Sequence, residues 1–310
     1  MKKLLDYTMQ SQFAIEYSDC FHATLYAIAQ NIGSQSEFIP FLTFSNFKFH
    51  PHDLSLCFER SGIIQGVPDR LSELTGLQVK KNHYHTREEL FDLCFYNSHK
   101  QIPTVLNIDT FDIPYHRAHK KEHLGHYFIL LSLDANGHCI YMDPYFDLDR
   151  VEAQFYDLPI IYDHYLEYRL VTHALHDPIE IVLQQLNEYV NQGICKDLQN
   201  VAALLINNGA FERQINKQTP VLSHFMLKLK SFIVERKNLL YYLYQFMPQN
   251  TELIQDYEIF VKGWNDIYLL LLKCISRNYK YDLLECASNL INCSAEREEL
   301  IMNKIKYAFT

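Results

Sequence analysis

Cys20, His126 and Asp143 are the residues whose types and order could do chemistry in this chain. A thiol, an imidazole and a carboxylate supply a nucleophile, a base and a group that orients the base. Cys20 sits in the run Tyr17-Ser18-Asp19-Cys20-Phe21-His22-Ala23-Thr24-Leu25. Ser18 and Asp19 are N-cap types, and Ala23, Leu25, Ala27, Ile28 and Ala29 favour a helical body. The pattern predicts a helix that opens on Cys20 and runs to about Asn31. There the positive end of the helix dipole favours a thiolate. A buried structural cysteine is the alternative reading of Cys20.

His126 and Asp143 mark the two ends of an expected hairpin. Residues 127–133 are apolar and β-prone apart from Ser132, and Asn136-Gly137 is a strong hairpin-turn pair. Cys139 to Met142 return as the second strand. Antiparallel pairing sets the strand ends side by side, so Asp143 is placed to orient the His126 ring.

The elements around these residues read as runs of helix followed by runs of strand, the α+β pattern. Asp53 to Arg60 and Val67 to Thr75 read as short helices. Arg87 to Tyr96 reads as another, with Thr86 as N-cap and Glu89 at the capping-box position. Phe38 to Phe49 is aromatic and irregular, either a strand pair or a loop lining a substrate. Pro103 to Asp109 and Ile160 to Val171 are expected strands. From Pro178 onward the pattern is helical, beginning with Ile179, Val182, Leu183, Leu186 and Val190 at 3–4 spacing. Further helices are expected at Leu198 to Ile206, Pro220 to Phe246, Glu252 to Ser276, Tyr281 to Ile291 and Ala295 to Phe309. Asn208-Gly209 and Pro248 are expected breaks. The expected division is a catalytic domain over 1–175 and a helical domain over 176–310.

Composition narrows the function. The chain has 310 residues, 48% hydrophobic and 21% charged, enough apolar material for a sizeable core. Its net charge of −9, without a long basic run, argues against nucleic acid as a partner. An acidic surface also repels an acidic carrier protein, so docking one would need a local basic patch. The eight cysteines contain no Cys-x-x-Cys pair and are scattered, which suits reduced thiols in a cytoplasm. No signal peptide and no apolar run of membrane-spanning length is seen, so neither export nor a membrane partner is expected. No phosphate-binding glycine loop occurs, and no cofactor is expected.

Three stretches carry a family resemblance. They are the helix-opening Cys20, the run from Ile102 through Asp109 to Pro114-Tyr115, and the run from His126 to Asp143-Pro144. Together they resemble the butirosin biosynthesis protein H-like family of acyltransferases. The helical tail around Trp264 is also similar. The resemblance implies a papain-like cysteine-peptidase fold with an appended all-helical C-terminal domain. It also implies transfer of an acyl group from a carrier-protein thioester to an amine acceptor, in the biosynthesis of a specialised metabolite such as an antibiotic. Cys20, His126 and Asp143 would be the catalytic residues, and Asp109, Tyr115, Arg117, Lys120 and Lys121 the substrate-binding ones. Phosphopantetheine would enter only as the arm of an acyl carrier protein. The bacteriocin peptidases that cleave after a double glycine share the Asp-Cys and His…Asp-Pro pattern. They carry Gly after the Cys and Gln shortly before it, where this chain has Phe21, with Gln10 and Gln12 further upstream.

Two other functions compete. A thioesterase or peptidase would use the same three residues with water as acceptor, and a binding protein would leave Cys20 structural. The stretch from His116 to His126 holds His116, His119, Glu122 and His123, which suggests a metal site, but Arg117, Lys120 and Lys121 set positive charge among the ligands. No metal is therefore expected. The same cations could meet a phosphopantetheine phosphate. Asp109 reads as an amine-binding or site-lining carboxylate, or as a structural cap.

Overall fold

The computed structural model describes Tyr7 and residues 20–41, 47–48, 59–60, 67–171, 177–191, 193–207, 209–215 and 220–309. The expected caps Ser18 and Asp19, the glutamines Gln10 and Gln12, segment 53–58, the junction 173–176 and Asn208 lie outside the described residues.

The helices are α1 (Cys20–Ile32), α2 (Val67–Thr75), α3 (Arg87–Lys100), α4 (Pro178–Asn191), α5 (Ile194–Leu205), α6 (Ala210–Arg213), α7 (His224–Phe246), α8 (Thr251–Ser276) and α9 (Tyr281–Phe309). The strands are β1 (Phe47–Lys48), β2 (Glu59–Arg60), β3 (Leu77–His83), β4 (Thr104–Asp109), β5 (Gly125–Leu133), β6 (His138–Asp143), β7 (Leu148–Gln154) and β8 (Ile160–Leu170). The fold is mixed α+β. The chain divides into two compact units, one of residues 1–39 and 64–178, the other of 40–63 and 179–310. The second unit is thus not one continuous C-terminal segment.

The first unit is built on an antiparallel sheet of six strands in the order β3-β8-β4-β5-β6-β7. Helices α1 and α3 pack on β5. The core joins Leu90 and Cys94 of α3 to Leu106, Ile108, Phe128 and Leu130. These strand positions alternate along β4 and β5, as a face buried by a helix requires. Helix α1 is buried along nearly its whole length, because Phe21, Ala23, Leu25, Ile28, Ala29 and Ile32 leave no polar stripe. Its buried Thr24 hydroxyl donates back to Phe21 O at 2.9 Å.

At α3 the Thr86 hydroxyl accepts from Glu89 N at 3.1 Å, as a capping residue should. The Glu89 carboxylate reaches back to His85 N at 2.7 Å, one residue beyond the cap. The β5–β6 turn is closed by Asp134, whose Oδ1 accepts from Asn136 N at 2.8 Å and His138 N at 3.0 Å. Gly137 there has φ +84°, the left-handed region that glycine enters without a Cβ penalty.

Two expectations need correction, and two strands were not expected. Glu59 and Arg60 form β2, paired antiparallel with Phe47 and Lys48, rather than the end of a helix. The two expected C-terminal helices are one, α9, since Ile291, Ser294, Ala295 and Glu298 continue a buried stripe through the supposed gap. Strands β3 and β7 have no counterpart in the sequence reading. Both lie at sheet edges, and β3 leaves Gln78, Lys80, Lys81 and His83 exposed. A half-solvated edge strand carries too few apolar residues to show period two.

In the second unit the buried Arg236 guanidinium bonds Glu298 at 2.6 Å and also the Tyr189 hydroxyl, tying α7 to α9 and α4. Phe41 packs edge-on against Tyr242 of α7 at 4.8 Å.

Candidate active site

The β5–β6 hairpin places His126 and Asp143. Ile129 pairs with Met142, so Asp143 falls across from Phe128, one alternation from His126 on the same face. His126 Nε2 meets Asp143 Oδ2 at 2.7 Å, with both side chains buried. Pro144 then ends the strand and starts a single 3-10 turn, Pro144–Phe146, which packs on α1. Phe21 of α1 meets Tyr127 edge-on at 5.9 Å, holding the helix start beside the strand start.

Cys20 is the first residue of α1 and is partly exposed. Its thiol lies near enough to the His126 imidazole to act on that ring's titration. With Nε2 engaged by Asp143, Nδ1 is the ring nitrogen left for the sulfur. Burial alone would push His126 down, but its bond to Asp143 and the neighbouring Cys20 thiol win, and it is raised from 6.5 to about 10. A proton on His126 between a carboxylate and a thiol is the arrangement that stabilises a thiolate. Around the ring stand Phe146 at 5.4 Å, His116 at 5.5 Å and Tyr145 at 5.9 Å between centroids. These aromatics exclude water from the imidazole.

A group raised in the folded state contributes stability that is fully present below its unfolded value. Here that contribution is complete below pH 6.5 and lost as pH rises through about 10. Relative to His126→Gln, the wild type should lose on the order of a few kcal/mol across that window. Urea midpoints measured from pH 6 to 10 read this. Parallel curves for the two proteins would contradict the raised His126.

The five expected substrate residues are placed differently from one another. Tyr115 donates its hydroxyl to Asp143 Oδ2 at 3.1 Å, and the residue as a whole is 38% exposed. Asp109 is buried, accepts from Phe111 N at 3.0 Å and pairs with His123 Nδ1 at 2.5 Å. Burial would raise its carboxyl, but the His123 bond and the Phe111 and Leu124 amides hold it below its ordinary value. Asp109 thus has the geometry of the structural cap. Lys120 is bound to Asp112 and lies over the Phe111 ring at 4.9 Å. Arg117 and Lys121 are exposed. Lys120 also has φ +54°, which folds the chain back so that its N–H reaches Phe111 O.

The histidines of the rival metal site diverge. His123 stacks on Phe111 at 4.4 Å, and His116 Nδ1 accepts from Ala118 N at 3.0 Å. Among the described residues, no group of three or more His, Cys, Asp or Glu side chains could hold a metal ion. Among them also, no helix is long and apolar enough to cross a membrane.

Sequence reading missed the bond from Tyr115 to Asp143 and the wall formed by Tyr145 and Phe146. The available signal was the aromatic pair directly after Asp143-Pro144. Compared with known protein families and with curated proteins, the chain matches none.

Proposed function

We propose that this chain is a cysteine-dependent acyltransferase of papain-like fold, acting on a carrier-protein thioester and an amine acceptor. The observation that carries the reading is the buried His126–Asp143 pair at 2.7 Å, with the partly exposed Cys20 thiol acting on the same imidazole. Transfer, rather than hydrolysis, rests on the resemblance to the butirosin biosynthesis protein H-like acyltransferases.

In the first half-reaction the Cys20 sulfur attacks the thioester carbonyl, forming a new thioester and releasing the carrier thiol. His126 gives that leaving sulfur a proton. The neutral imidazole then takes a proton from the incoming amine as nitrogen attacks the acyl carbon. The amide leaves, and Cys20 with protonated His126 is restored. Asp143 fixes the ring throughout. The Cys20 backbone N–H, at the start of α1, is a donor for the oxyanion. Thioester to amide runs downhill, so the cycle needs no nucleotide. The free thiols of Cys94, Cys139, Cys195, Cys274, Cys286 and Cys293 fit a reducing, cytoplasmic setting.

The test is intact-mass spectrometry after incubation with a panel of acyl thioesters, with and without a panel of amines. A stable acyl adduct on Cys20, discharged by an amine as the amide, is expected. A neutral amine outcompetes water as a nucleophile toward a thioester. Rapid discharge to the free acid, unaffected by any amine, would replace transferase with thioesterase or peptidase.

A further inference from the structure

Asp143 has no solvent exposure, and its two carboxylate oxygens are not equivalent. Oδ2 receives His126 Nε2 at 2.7 Å and the Tyr115 hydroxyl at 3.1 Å. Oδ1 is buried and has no hydrogen-bond partner among the described residues. Both donors therefore converge on one oxygen, and among the described residues nothing on the other side fixes the carboxylate. A buried carboxylate needs donors to remain an anion, and a lone donor would let the group turn about its Cβ bond.

We infer that Tyr115 is a positioning residue for the proposed reaction, its hydroxyl fixing the Asp143 carboxylate with Oδ2 aimed at His126. The ring contributes as well. Tyr115 meets Phe146 edge-on at 5.1 Å, and Phe146 lies against His126 at 5.4 Å. One side chain thus supports both the carboxylate behind the imidazole and the wall beside it. Burial and the neighbouring Asp143 charge push the Tyr115 phenol far above its ordinary value, so it remains a donor at any working pH. The ionisable groups acting on Asp143 among the described residues are His126, Tyr115 and Tyr141, with Cys20 and His116 beyond the imidazole.

The inference rests on Cys20, His126 and Asp143 acting as one unit, and its test separates the two. Tyr115→Phe keeps the half-exposed ring and deletes only the hydroxyl. The readout is the pH profile of Cys20 alkylation by iodoacetamide, followed by mass spectrometry of the Cys20-containing peptide in wild type, Tyr115→Phe and His126→Ala, with Tm measured on each. Tyr115→Phe should alkylate about tenfold more slowly at pH 7, the scale of a lost bond to a charged group, with its profile displaced by about one unit. Its Tm should stay within a few degrees of wild type. A wild-type rate and profile in Tyr115→Phe, beside a slowed His126→Ala, would overturn the positioning role and leave the triad standing. A lowered Tm with an unchanged profile would likewise reduce Tyr115 to a structural part. If His126→Ala also alkylates normally, the triad reading itself fails.

Discussion

Cys20→Ala should lose the proposed acyl transfer by on the order of 10⁴-fold or more, as removal of a covalent nucleophile does. The same variant should keep its fold. Cys20 opens α1 on a partly exposed site, and the buried residues that anchor the helix, Phe21, Leu25, Ile28 and Ile32, are untouched. A stability change within about 1 kcal/mol is therefore expected, read from urea midpoints. The variant should also take up no acyl mass from any thioester in the panel. Near-normal turnover by Cys20→Ala would remove the covalent mechanism entirely. Of the other cysteines, Cys94 and Cys139 are held from substituting for it. Cys94 and Cys139 are buried, and burial pushes both thiols up, to about 11 for Cys139.

Asp143→Asn should cost on the order of 10²- to 10⁴-fold in transfer while keeping the shape of the site. The amide cannot balance a charged imidazole, so the proton leaves His126 at a lower pH. Cys20 then alkylates more slowly near neutrality. His126→Ala should slow alkylation as well, because the sulfur loses its partner. Deleting the carboxylate outright is a poorer experiment, since Asp143→Ala would leave a buried cation unpaired and cost about 3–5 kcal/mol. Activity and alkylation both unaffected in Asp143→Asn would show that the contact at 2.7 Å is architectural only.

The pairing of His126 with Asp143 was legible in the sequence because it is local. Six apolar, β-prone residues among 127–133, an Asn-Gly turn and a returning strand fix the register of a hairpin. In an antiparallel ladder the register decides which side chains share a face. The helix opening on Cys20 was legible for a similar reason, since it rests on Ala23, Leu25, Ala27 and Ile28 in succession. The mixed α+β class followed from the order of expected helices and strands, and the helical character after Pro178 from periodicity, which did not show that the last two expected helices are one.

Other features belong to the tertiary structure. Strands β3 and β7 exist because β8 and β6 offer them free edges, and their own residues are too polar to announce it. Glu59 and Arg60 carry no strand signal, yet pair with β1. Asp109 and Tyr115 looked alike in the sequence, two polar groups near the end of β4. One is spent on His123 and a backbone cap, and the other reaches a carboxylate on a different strand. The meeting of Cys20 with His126 was likewise invisible to any local window. Helix α1 must pack on β5 before its first residue can touch the strand's second. Hydrophobic periodicity records which face a segment buries; it does not record what lies on the other side of that contact.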